Sequence, residues 1–154
     1  MIHVIYPEMP PTSNKIYFRG TILTTVARKY AEEFSRFFAT KHGHEVVDVN
    51  PNDLYALHLH FFFPTLINEA WTQRDKQGKR KAKSPYKKLD LSNRIKLLED
   101  CIRDAIGVDD SHTFAASQEK HHDPLNPRVE IFIHPVDPDL FGIPKEFQHA
   151  KDRP

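Results

Sequence analysis

Two stretches of the chain carry apolar residues at helical spacing, and four longer runs read as strands. Ile2 to Tyr6 predicts a short strand, ended by Pro7, Pro10 and Pro11, which cannot donate to a ladder. A polar loop over Thr12-Ser13-Asn14-Lys15 follows, and Ile16 to Phe18 is a candidate second strand. From Thr24 or Thr25 the period becomes helical: Val26, Ala27, Tyr30, Ala31, Phe34, Phe37 and Phe38 share one face, with Gly43 as the expected stop. Leu54 to Phe63 predicts a strand with Leu57, Leu59, Phe61 and Phe63 on one face and His58, His60 and Phe62 on the other. Leu91, Ile95, Leu98, Ile102 and Ala105 give a second helix its buried stripe, and Gly107 fits the position just past its end. Thr113 to His121 and Arg128 to Val136 predict two strands around an Asp123–Pro127 turn. This order predicts a single α+β domain, a mixed sheet packed against two main helices and covered mainly on one side.

Composition narrows this little. A chain of 154 residues is long enough for a real core, and 39% hydrophobic with 28% charged residues describes a globular protein. A net charge of +1 gives no global attraction to nucleic acid, so any binding must come from local segregation. Such segregation exists: Arg74 to Lys88 is strongly basic, and Glu99 to Asp110 largely acidic. One cysteine, Cys101, excludes an internal disulfide. With neither a signal peptide nor a membrane-length apolar run, the expected location is the cytoplasm, of a bacterial or phage-infected cell.

The chemistry concentrates around the second helix. Lys87 and Lys88 lead into Asp90 at the helix mouth, Ser92 and Asn93 follow, and Lys96 lies one turn beyond Ser92. Asp109 and Asp110 come just after the glycine stop. Carboxylates near cations are what a protein needs to hold a phosphodiester beside a divalent ion. Taken singly, Asp90 reads as a helix cap and Asp109-Asp110 as a polar turn.

Taken together, the order of parts resembles the RusA family of Holliday junction resolvases. That family's pattern runs from basic residues to Asp-x-Asp-Asn-x-x-Lys, then Asp-Ala-Leu, then a closing Asp-Asp. Here the counterparts are Lys87-Lys88, Asp90-Leu91-Ser92-Asn93-Arg94-Ile95-Lys96, Asp100-Cys101-Ile102 and Asp109-Asp110. Pro10-Pro11-Thr12-Ser13-Asn14-Lys15 resembles the family's Pro-Pro-Ser-x-Asn loop, and Lys120 with Val129 to Ile133 fits its closing strands. The resemblance covers about residues 2 to 136, so the expected organisation is a RusA-like domain over 1–136, a basic loop insertion at 68–88 and a C-terminal tail at 137–154. It implies a magnesium-dependent endonuclease, with manganese as a substitute, that acts as a homodimer on four-way or related branched DNA and has no membrane partner. By match to the motif, Asp90 and Asp110 are implied metal ligands, Lys96 a contact to the scissile phosphate, and Asn93 and Asp109 supporting groups, Asp109 also near the metal. Asn14 and Lys15 are implied DNA contacts. Ser92 departs from the pattern, because a neutral hydroxyl replaces the second ligand carboxylate. A water oriented by Ser92, or the charge of Glu99 or Asp100, can fill that place; the alternative is a branched-DNA binding protein whose site has weakened or lapsed.

The basic run of Arg74, Lys76, Lys79, Arg80, Lys81, Lys83, Lys87 and Lys88 predicts phosphate contacts, led by Lys79, Arg80, Lys81, Lys83, Lys87 and Lys88. Its other readings are a solvated loop or a surface for an acidic protein. Trp71 and Tyr86 flank it, as loop anchors or as platforms for unpaired bases. Ten histidines with one cysteine and no helical His-x-x-x-His pair do not predict a structural zinc site.

Overall fold

The structure, a computed structural model, describes residues 1–12, 16–18, 22–89 and 91–148; Asn14, Lys15 and Asp90 lie outside the described residues, as does the side chain of Asn93. Four strands form the main sheet: β1 (Ile2–Tyr6), β4 (Tyr55–Phe63), β5 (Thr113–His122) and β6 (Arg128–Pro135), in the order β1-β6-β4-β5. Strand β4 pairs antiparallel with β6 and parallel with β5, so the sheet is mixed. A two-stranded ribbon, β2 (Tyr17–Phe18) with β3 (Ile22–Leu23), precedes helix α1 (Thr25–Val46). Helix α2 (Ser92–Ile106) is the crossover between the parallel strands β4 and β5, and a four-residue helix α3 (Lys145–Gln148) is the last element among the described residues. The expected α+β architecture is the observed one.

Alternation decides which side of the sheet is inside. Ile2, Val4 and Tyr6 of β1, Leu57, Leu59, Phe61 and Phe63 of β4, and Val129, Ile131 and Ile133 of β6 are all buried, in one core with Phe34 and Phe38 of α1 and Leu98 and Ile102 of α2. Each such side chain gains about 1.5–3 kcal/mol by leaving water, which makes this layer the main source of stability. The other face of β4 holds half-buried His58, His60 and Phe62.

Three sequence expectations are corrected. Helix α1 runs through Gly43 to Val46; the one-turn extension packs Val46 against the core and pairs His42 Nδ1 with Glu45 Oε1 at 2.6 Å, which outweighs the ~1 kcal/mol helix penalty of a glycine. Val26 is 54% exposed because it sits on the first turn of α1, beside the Glu8–Thr12 loop rather than over the sheet. Strands β5 and β6 do not form a hairpin: both pair with β4, one on each side, and the Asp123–Pro127 turn carries the chain over the end of β4.

Candidate active site

Helix α2 has two chemically different faces. Leu91, just ahead of it, and Ile95, Leu98, Ile102 and Ile106 are buried. Ser92, Lys96, Glu99, Asp100 and Arg103 recur at steps of three and four, so they fall together on another face. That face is one wall of a cleft of about 530 Å³. The other wall is Leu57 of β4, Thr113, Ala116 and Gln118 of β5, and Asp110, which opens a 3₁₀ turn (Asp110–His112) leading into β5.

Arg103 organises the acidic end of the cleft. Its guanidinium pairs with Asp100, reaches Asp110 Oδ2 at 3.0 Å from Nη1, and donates from Nε to the Glu99 carbonyl at 3.4 Å. Burial pushes the Glu99 carboxyl above its usual range; Arg103 opposes that shift and the Asp100 carboxylate reinforces it. Three carboxylates thus share the end of one cleft with one guanidinium, an arrangement that favours a further cation. Ser92 and Arg103 are about 16 Å apart along the helix axis, so Asp110, gripped by Arg103, sits toward the end of the cleft away from Ser92.

Two cations, Lys120 from β5 and Arg94 within the motif itself, fix its surroundings. Lys120 of β5 donates its Nζ proton to the Leu89 carbonyl, immediately before Asp90. Arg94 Nη1 donates to the Pro10 carbonyl at 2.8 Å, docking the buried Pro10 and its loop against α2; desolvation of that guanidinium lowers its pKa. The Pro-Pro loop and the α2 motif, 84 residues apart in sequence, therefore meet through one hydrogen bond.

Of the residues singled out from sequence, Ser92, Lys96 and Asp110 line the cleft, together with Glu99 and Asp100. Asp109 does not line it. Its carboxylate accepts from the Ser111 backbone N–H at 2.9 Å, capping the 3₁₀ turn, and the hydrogen bonds from Ser111 hold it below the usual carboxylate range. Sequence reasoning passed over Arg103 and Gln118, and took Lys120 only as a strand residue. The signal for Arg103 was its helical spacing from Lys96 and Glu99.

The basic segment folds back as an irregular hairpin. Bridges join Ile67 to Tyr86 and Arg74 to Arg80, and Gly78 takes a positive φ of 77° at the tip, where Asp75 Oδ1 accepts from the Gln77 and Lys79 amides. Trp71 is capped by the Arg80 guanidinium, 3.8 Å from the ring centroid, so it serves as a loop anchor, while Tyr86 is 66% exposed. Lys79, Lys81, Lys83, Lys87 and Lys88 are all exposed.

Hard oxygen donors with cations alongside define a site suited to a phosphodiester and a divalent metal, the equipment of a nucleic-acid hydrolase. The family model described as Endodeoxyribonuclease RusA matches residues 7–134, and the chain belongs to that family. Membership implies endonuclease activity of the Holliday junction resolvase kind, which generally depends on a divalent metal. No curated protein sequence matches the chain significantly. No helix among the described residues is long and apolar enough to cross a membrane.

Proposed function

We propose that the protein is a magnesium-dependent endonuclease that hydrolyses a phosphodiester in four-way or related branched DNA, working as a homodimer in the cytoplasm. The observation that carries this reading is the single cleft holding Ser92, Lys96, Glu99, Asp100, Arg103 and Asp110 in a chain of this family. The donor chemistry fits a hard divalent ion: Asp110, Glu99 and Asp100 offer anionic oxygens at one end of the cleft, and Ser92 offers a neutral one toward the other, where Asp90 precedes it in sequence. Bound there, magnesium supplies Lewis-acid polarisation of the phosphate.

The chain's own groups account for the rest. Lys96 lines the cleft one turn beyond Ser92, and its ammonium binds a phosphate oxygen and stabilises charge as water attacks phosphorus and a P–O ester bond breaks. Arg103 aligns Asp100 and Asp110 and keeps their mutual repulsion from spreading them. Lys79, Arg80, Lys81, Lys83, Lys87 and Lys88 hold backbone phosphates outside the cleft, with Asn14 and Lys15 contributing from the loop beyond Pro10-Pro11. Two equivalent cuts in opposed strands require two copies related by a two-fold axis, hence the homodimer.

Ser92 supports the second reading, a junction-binding protein with a lapsed site. Glu99 and Asp100 in the same cleft favour retained activity, because the negative charge lost at position 92 is present further along the helix. Cleavage of a four-way junction by wild type, Asp110→Asn, Lys96→Ala and Ser92→Asp, in magnesium and in manganese, separates the readings. Retained activity predicts cutting by wild type and a loss of about 100-fold or more in Lys96→Ala. A silent wild type that regains cutting in Ser92→Asp establishes the lapsed site instead.

A further inference from the structure

On the face of the sheet away from the cleft, His60, Glu119 and His121 bring three ligand atoms within 4.8 Å of one another. We infer that this triad is a second metal site, for a zinc-class transition ion rather than magnesium. It shares no residue with the cleft.

Sheet register builds the site. His60 and Glu119 are direct partners in the parallel β4–β5 ladder, and His121 is two residues beyond Glu119, so period-two alternation puts all three on one face. A register irregularity between Tyr55 and Ala56 fixes this: Tyr55 pairs with Thr113 but Ala56 with Ala115, which turns the odd-numbered residues of β5 from Ala115 onward to the side of His60. Glu119 Oε2 lies 3.0 Å from His121 Nε2 and 3.9 Å from His60 Nε2. Tetrahedral donors about 2.0–2.2 Å from a zinc ion lie roughly 3.3–3.6 Å from one another. The two Glu119 distances bracket that value, and all three donor atoms lie within 4.8 Å of one another.

A second observation separates the triad from an ordinary surface ion pair. The Nε2 atom of His121 is buried from solvent and makes no aligned hydrogen bond, although Glu119 Oε2 is near it. An ion seated between that nitrogen and the exposed Glu119 carboxylate would give the nitrogen an aligned partner. The rings are also held from behind. Phe62 stacks on His121 with centroids 4.6 Å apart, Arg128 packs over Phe62 at 3.6 Å, and Phe132 lies 5.1 Å from His60. Arg128 is itself fixed by Asp123 and Glu130, each at 2.7 Å. Two imidazoles and a carboxylate are a donor set for zinc, cobalt or nickel, and leave a fourth position open. An ion there ties the edge strand β5 to β4.

Equilibrium dialysis of metal-stripped protein against zinc, with cobalt as an optical probe, tests the inference. The expected result is one zinc per chain that excess magnesium does not displace, with tetrahedral cobalt bands in the visible region. Glu119→Gln and His121→Ala, checked for native circular dichroism, lower zinc affinity about tenfold or more, whereas Asp110→Asn leaves it unchanged. Absence of zinc binding in wild type overturns the inference. So does equal affinity in wild type and both triad variants, which would move any bound zinc to other histidines. Neither outcome touches the endonuclease reading.

Discussion

Burial and charge around single side chains make two checkable statements. Cys101 faces the core, and desolvation pushes its thiol up to about 12, with Asp104 and Asp100 adding to the shift. The thiolate is the reactive form, so at neutral pH a thiol reagent is expected to modify the folded protein orders of magnitude more slowly than the urea-unfolded chain. Equal rates in the two states would contradict the buried placement. Asp123 lies well outside the core, in the turn after β5, where the Arg128 hydrogen bond holds its carboxyl below the usual range, helped by the Asn126 and Leu125 amides. A carboxyl depressed on folding contributes stability that is fully present above its unfolded value of about 3.9 and is lost as pH falls through the folded value. Asp123→Asn is therefore expected to flatten the loss of stability below about pH 4, measured by denaturant titration at several pH values. An unchanged acid slope would show that Arg128 does not engage Asp123 in solution. The same scale shows what the residue types alone concealed. Asp110 was legible as a candidate, and it lines the cleft, but Arg103, which grips it, looked like one more surface charge until the fold set α2 across the cleft from β5.

Among the elements, α2 and the basic hairpin carry the functional argument. The buried stripe of α2 and its Gly107 stop were legible because period and terminator agree: Gly107 adopts a φ of 70° and its N–H closes onto the Arg103 carbonyl at 2.8 Å. The end of α1 was not legible, because a glycine that stops some helices is overrun where the next turn has packing to gain. The β2–β3 ribbon was half-read, since Ile22 and Leu23 are too short a run to declare a strand alone. The hairpin from Ile67 to Tyr86 was visible as a basic excursion, while its cross-chain bridges depend on backbone pairing that composition does not encode. Its proposed role has a measurable signature. Replacing Lys79, Lys81 and Lys83 by glutamine, with Arg80 kept on Trp71, is expected to reduce the dependence of log affinity on log salt by about 0.9 for each phosphate of a duplex arm that is no longer neutralised. Unchanged affinity and slope would leave the hairpin as a solvated loop.

At the scale of the whole molecule, the sheet separates two chemistries. Its inner face and α2 form the oxygen-rich cleft; its outer face carries imidazoles and aromatic rings, including stacked His58 and His134 at 5.1 Å. Alternation assigned the residues of β4 and β6 to faces correctly, because it is local. It did not show that β4 sits between β5 and β6, and that placement is what sets Glu119 and His121 beside His60. Long-range strand order is decided by packing of the finished sheet, which no short window of sequence contains. The central claim concerns the other face, and a single assay reaches it. Wild-type protein is incubated with a four-way junction and, separately, a linear duplex of the same arms, with and without magnesium. Magnesium-dependent cutting of the junction in preference to the duplex is the predicted result. Binding of the junction without cleavage in magnesium or manganese would contradict it.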